Sequence, residues 1–316
     1  MRVRNRIIKK AIDFIAYIAL VCLLKILEII PRRAAIGIGE TIAQIYSRFD
    51  AHHRRIAKTN LSIAFPHLSE KRKELLIRAA YRNFGRMVIE TARIGKLNSR
   101  NISQLVEYDP VNGLENFLDA MKQGKGVIFM TGHFGAWELV HYAHALYGYP
   151  LSFVVRKIDN PYVDRLMRQR RQSAGSRVIE KRQAVKELLK ELRRGGVVGI
   201  LADQNVSAGE GVFVDFFGKP ACTSTIVAVL ALRTGAPVIP AVIEYDRRRD
   251  KHRMVFLPAV ELIRTGDYSK DVELNTAQFN KIFEGFIRRS PHLWLWMHRR
   301  WKTRPEGELA PAVYAG

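Results

Sequence analysis

His133 and Glu138 lie five residues apart in the stretch "MTGHFGAWELVHYAHAL", which runs from Met130 to Leu146. An imidazole held by a carboxylate is the working pair of a general base. The acid fixes the proton on one ring nitrogen, leaves the other bare to accept a proton from a hydroxyl, and stabilises the imidazolium that forms. On one continuous helix, five positions at about 100° each would turn the two side chains about 140° apart. They can meet if His133 occupies a turn and Glu138 the first turn of a following helix. Gly132 and Gly135 permit such a turn. His141 and His144 extend the pattern to HxxxxExxHxxH, which supplies enough ligands for a metal. Glu138 and His141 are helical neighbours, however, while His133 depends on the turn. His141 and His144 read as packing or surface residues, and no metal is expected.

The surrounding elements must position this pair. "GVIFM" before it is a short apolar run of the kind that forms a buried strand, and the pattern turns helical from Trp137. Further along, "LSFVV", "RVIE", "VVGILAD", "PVIPAVIEYD" and "RMVFLPAVEL" read as strands. "LENFLDAMKQGK", "NPYVDRLMRQRRQSAG", "AVKELLKELRRGG", "STIVAVLALRTG" and "NTAQFNKIFEGFIRRS" read as helices. Strands alternating with helices predict an α/β fold, a mixed and largely parallel sheet flanked by helices. Functional groups in such sheets collect at strand ends. The stretches after "GVIFM", "LSFVV" and "VVGILAD" fall there. Residues 31–110 form a helical part, in which Ser69 is a candidate N-cap and "DAHHRRIAKTNLSIAFPHL" is basic and irregular. His52 and His53 in that segment have no evident partner. Residues 111–305 form the α/β core, and 31–310 make one domain.

The chain of 316 residues is 47% hydrophobic and carries a net charge of +22. This excludes disordered and collagen-like chains and favours an anionic partner: nucleic acid, an acidic membrane surface, an acidic carrier protein or a phosphorylated substrate. Cys22 and Cys222 are the only cysteines, so no disulfide or zinc framework is expected. The N-terminus places basic residues before an apolar run, Phe14–Leu24, of 11 residues. A full span needs about 20. Residues 1–30 are expected to form a retained membrane-anchoring helix, interfacial or barely spanning. A buried N-terminal helix is the alternative.

The sequence resembles the bacterial lipid A biosynthesis acyltransferases, the late lauroyl- and myristoyl-type enzymes of the glycerol-phosphate acyltransferase-like superfamily. "TGHFGAWE" resembles the family's His-x4-Asp/Glu signature, "VVRKIDNPYVDRLMRQRR" its Arg-containing substrate segment and "GGVVGILADQN" its Asp-Gln segment. "GVFVDFFGKPACTSTIVAVLALRTGAPVIPA" is similar to the acceptor-side block, and "PHLWLWMHRRWKTRP" to the C-terminal signature. The resemblance implies acyl transfer from acyl carrier protein, as co-substrate and without a further cofactor, to a hydroxyl on a lipid A precursor glycolipid. It implies a place on the cytoplasmic face of the bacterial inner membrane, among anionic lipids. His133 would take the acceptor proton while Glu138 orients it. The amides of Gly132 and Gly135 are candidates for the oxyanion site.

The resemblance also marks substrate-side residues. Arg156 at a strand end is the first choice for a phosphate contact, since guanidinium presents a rigid donor fork; a solvated strand-end charge is the plain alternative. Asp203 and Gln204 are implied as site residues, against a capping role. "FFGKPACT" supplies Gly218, Lys219 and Thr223 to the acceptor and acyl pocket, and the C-terminal block supplies Arg299 and Arg300. Arg168, Arg170 and Arg171 read as a solvated basic face with a general attraction to anionic headgroups. The tryptophans of "WLWMHRRWKTR" beside basic residues suit a membrane interface or stacking on single-stranded bases; the resemblance favours the first. A nucleic-acid-binding protein would explain the charge but not the apolar N-terminal run or the strand ending at His133, and no nucleic acid is expected as partner. The same chemistry on another glycolipid, aminolipid or phospholipid is a nearer alternative.

Overall fold

The computed structural model describes residues 2–180 and 184–314. Four helices open the chain: α1 (Arg2–Ile29), α2 (Arg32–Phe49), α3 (Ala51–Ala64) and α4 (Glu70–Ala92). Pro31 separates α1 from α2, because proline fits a first helical turn but not a helix interior. Among the described residues no helix is long and apolar enough to cross a membrane. The spanning form of the expected anchor is thereby corrected. Lys9, Lys10, Asp13, Lys25 and Glu28 all lie within α1, so its apolar run stays short. One side of α1 packs on the body, with Phe14 and Tyr17 against Tyr162 and Glu28 paired to Arg170 at 3.0 Å. Ile12, Ile15, Ile18, Leu23 and Ile26 remain exposed.

The segment read as irregular is helix α3. Asp50 caps it by accepting from the His53 amide. Ile56, Ala57, Leu61 and Ala64 are buried on one side of it, an apolar stripe that basic residues mask in the sequence. Ser69 caps α4 as expected. His52 and His53 do have partners, Arg299 at 3.0 Å and Asp50 at 2.8 Å.

A short helix α5 (Ile102–Leu105) leads to β1 (Val106–Tyr108), α6 (Leu114–Met121), β2 (Val127–Thr131), α7 (Trp137–Leu146), β3 (Ser152–Val155), α8 (Pro161–Gln172) and β4 (Arg177–Glu180). Then follow α9 (Ala184–Arg193), β5 (Val197–Leu201), β6 (Gly211–Phe216), β7 (Lys219–Ser224), α10 (Ile226–Thr234), β8 (Val238–Asp246), β9 (Lys251–Phe256) and α11 (Tyr268–Arg289). The main sheet has seven strands in the order β1-β9-β8-β2-β5-β3-β4. β8, β2, β5, β3 and β4 are parallel, while β9 runs antiparallel to β8. The mixed, largely parallel sheet read from the sequence is therefore present. β6 and β7 form a separate antiparallel hairpin.

Both faces of the sheet are covered, so its central strands are continuously apolar. Alternation along β2 sends Phe129 into a cluster with Phe117, Leu139 and Phe153, and Ile128 and Met130 into one with Leu188, Val227 and Phe279. The C-terminal tryptophans form a third cluster. Trp294, Trp296 and Trp301 are all buried there with Phe134 and Phe216. This corrects both surface readings of that segment: these rings reach neither a membrane nor a base. The basic neighbours masked this in the sequence: Arg300 is itself buried, and Arg299 meets His52 and the Tyr314 carbonyl.

Candidate active site

β2, β3 and β5 end at the same edge of the sheet, and β2 is central with strands added on both sides. That edge is where parallel sheets present loops to ligands. β2 and β5 pair with Thr131 opposite Leu201. Two residues further along each strand come His133 and Asp203. The His133 amide donates to Asp203 Oδ2 at 2.9 Å, and His133 Nδ1 lies 2.9 Å from Asp203 Oδ1. Trp294 Nε1 donates to the same carboxylate at 2.8 Å. Asp203 thus grips both the backbone and the ring of His133.

Two glycines make this possible. A Cβ on Gly132 would fall 2.8 Å from Asp203 Cγ and 2.2 Å from Phe283 Cζ. Gly135 has φ +61°, and a Cβ there would fall 1.9 Å from the Ile243 carbonyl oxygen. The Gly135 amide donates to the Leu293 carbonyl at 2.8 Å. That amide is therefore already committed, which removes one of the two expected oxyanion donors.

An ionised carboxylate only accepts hydrogen bonds, so the proton sits on His133 Nδ1 and leaves Nε2 bare. Gln204 Nε2 lies 3.3 Å from it and can donate to it. Burial lowers the affinity of His133 for a second proton, but the Asp203 carboxylate, with a smaller contribution from Glu138, outweighs this and raises its pKa. Burial opposes ionisation of Asp203 as well, yet His133 and Trp294 bring it down to about 2.

Glu138 begins α7 as expected, but its direct partner is not His133. Arg171 Nε and Nη2 hold its carboxylate at 3.0 and 2.7 Å. His141 Nε2 lies 3.6 Å away, too far for a good hydrogen bond. Despite burial, His141 and Arg171 hold the Glu138 carboxyl at about 2. Arg171, read from the sequence as part of a solvated face, is thus bound into the site. His141 stacks on Phe153 at 4.1 Å, and His144 is enclosed by Phe117, Phe129 and Phe256. Burial pushes His144 down to about 3.

His133 and Glu138 open onto a cleft of about 320 Å³, with Arg156 also on its wall. Its other walls include Phe129, Val140, Leu151, Phe153, Gly199 and Leu201, so a polar mouth leads to an apolar interior. Arg156 is exposed.

The remaining sequence candidates divide. Asp203 and Gln204 are at the site. Arg300 is fully buried and donates to the Cys222 carbonyl at 2.8 Å and to Thr223 Oγ1 at 2.6 Å. Its Nη1 also approaches the Gln204 carbonyl at 3.5 Å. Thr223 is buried too and meets Asn280. As placed here, neither side chain is available to a substrate; both brace the loop that carries Asp203. Burial lowers the Arg300 pKa to about 10. Gly218 and Lys219 sit at the tip of the β6–β7 hairpin, outside the cleft lining. Lys219 and Thr223 lie four positions apart along β7, roughly 13 Å of chain. Arg299 lines a separate hollow of about 400 Å³ with His298, Asn205 and Lys302.

Residues 4–303 match the family model described as bacterial lipid A biosynthesis acyltransferase. The chain belongs to this family. It is 28% identical over 279 residues to a lipid A biosynthesis lauroyltransferase of Escherichia coli, covering 88% of each chain. It is 29% identical to a lipid A biosynthesis acyltransferase of Haemophilus influenzae, covering 81% of this chain and 77% of that one. A lipid A biosynthesis myristoyltransferase of Escherichia coli is 24% identical, with 85% and 81% covered. As a lipid A biosynthesis acyltransferase by family, the protein is an acyltransferase, and the family implies a lipid A precursor as its acceptor.

Proposed function

We propose that this protein moves a fatty acyl chain from an acyl carrier protein thioester to a hydroxyl of a lipid A precursor. The observation that carries the chemistry is His133: one nitrogen is fixed by Asp203, and the other is bare at the mouth of an apolar cleft. The acyl chain lies among Leu151, Phe153 and Leu201. The acceptor hydroxyl displaces the Gln204 amide from Nε2 and gives its proton to that nitrogen as its oxygen attacks the thioester carbonyl. The tetrahedral intermediate collapses, the carbon–sulfur bond breaks, and the leaving thiolate takes the proton from the imidazolium. No acyl-enzyme forms. Asp203 holds the tautomer. Glu138 keeps the electrostatic half of its expected role, stabilising the imidazolium across the cleft and fixing Arg171. Arg156, at the mouth, contacts a phosphate of the acceptor.

The setting follows from the surface. The exposed apolar side of α1, flanked by basic residues, lies along the cytoplasmic face of the inner membrane as an interfacial helix. The charge of +22 attracts anionic lipids and the acidic carrier protein. The test offers membranes containing the protein a panel of acyl carrier protein thioesters with a tetraacylated lipid A precursor, and reads products by mass spectrometry. A mass gain of one acyl chain is expected. No gain with any donor, from protein shown to be folded, would overturn the reading.

A further inference from the structure

Away from the acyl cleft, a hollow of about 500 Å³ opens between α4, the β8–β9 turn and Pro291–Leu293. Arg82, Arg86, Arg247, Arg248, His292 and Asn83 line it. Three carboxylates lie nearby, Glu244 acting on His292 among them. Glu40 is shared between Arg86 and Arg247, and Asp246 accepts from the backbone amides of Arg248 and Arg249 at 2.8 and 3.2 Å. Of the four guanidinium groups, Arg82 is taken up by the Gln44 amide oxygen at 2.7 Å, while Asp246 is occupied by backbone and Glu244 by Arg253 and Arg289, which leaves Arg86, Arg247 and Arg248 over Glu40. Arg86 is buried, lies 3.8 Å above the Tyr245 ring, and has an Nε with no partner among the described residues. Burial lowers the His292 pKa, and the charges of Arg247 and Arg86 lower it further against a smaller opposing pull from Glu244. The local field is positive, and guanidinium donors are left over.

A second hollow, of about 680 Å³, shares Ala79 and His292 with the first. Phe65, Leu68, Leu75 and Leu76 line it with Pro291, and Arg72 and Arg288 complete its wall; Leu75 is half exposed. A basic chamber that continues into a largely apolar trough with arginines in its wall matches an anionic head attached to a hydrocarbon chain. Several Arg forks suit the several oxygens of a phosphate. A free phosphate would make no use of the trough.

We propose that this hollow binds the phosphate group of a lipid, at a site separate from the acyl cleft. The two share no lining residue, so binding here does not depend on the catalytic reading. Leu293 connects them, since its carbonyl accepts from the Gly135 amide beside His133.

Titration calorimetry with dihexanoyl phosphatidic acid tests this, with dihexanoyl phosphatidylcholine and inorganic phosphate in parallel. Arg247 and Arg248 are exposed, so R247A/R248A should fold. It is expected to weaken phosphatidic acid binding roughly tenfold or more, as loss of charge-assisted hydrogen bonds implies. R193A/R194A removes the same charge from an exposed site at the end of α9 and should bind as the parent does, as should His133→Ala. Equal weakening in both double variants would reduce the effect to net charge and overturn the site. So would loss of binding in His133→Ala, which would place the lipid in the acyl cleft, or no binding to the parent protein. Inorganic phosphate binding as tightly as phosphatidic acid would overturn the lipid as the source.

Discussion

At the scale of single residues, His133 was legible as the candidate base because its type, its strand-end position and its glycines agree. Its partner was not. Glu138 is near in sequence, whereas Asp203 is 70 residues away and comes beside His133 only because β5 lies next to β2. Once that neighbour is known, the register of Thr131 with Leu201 brings the two together. Asp203→Asn is expected to lower turnover by about 10²–10⁴, since the amide no longer enforces the tautomer. The pH profile carries the sign. The base works only when neutral, so activity should rise with pH through the raised His133 pKa. Removing the Asp203 charge destabilises the imidazolium, so the acidic limb should move to lower pH. Glu138→Gln should move that limb in the same direction but less, because Glu138 contributes less than Asp203. A limb that stays in place in Asp203→Asn would contradict the assignment.

At the scale of elements, the alternation of strands and helices was legible because apolar period and length differ between them. Strand order, the β6–β7 hairpin and α3 were not. A hairpin outside the main sheet carries the same local pattern as any strand, and the basic side of α3 hides its apolar stripe. Chain length was equally out of reach, because the cleft walls come from β2, β3, β5 and α7. Gly199 is the informative position. It lies in the middle of buried β5 and lines the cleft; a Cβ there would meet Leu151 Cδ1 at 3.1 Å. Glycine weakens a strand interior, so its presence leaves room. Gly199→Val is expected to shift donor preference toward shorter chains, with long donors losing about fourfold for each methylene displaced. Competition between acyl carrier protein thioesters of different length measures this.

At the scale of the whole molecule, net charge and the short apolar run pointed to a membrane surface, while among the described residues no helix is both long and apolar enough to cross a membrane. The tryptophan-rich end misled because composition does not distinguish an interfacial aromatic from a buried one. Here it closes the core behind the active site, with Trp294 on Asp203 and Arg300 under the Asp203–Gln204 loop. Arg300→Ala should therefore cost about 2–4 kcal/mol, from a cavity and unsatisfied buried carbonyls, read by denaturant unfolding. The measurement that bears most directly on the whole proposal is acyl transfer by His133→Ala beside the parent protein, both shown to be folded by circular dichroism. A loss of about 10²–10⁴ in rate with the fold intact is expected. Transfer at near-parent rate would contradict His133 as the base and the mechanism built on it.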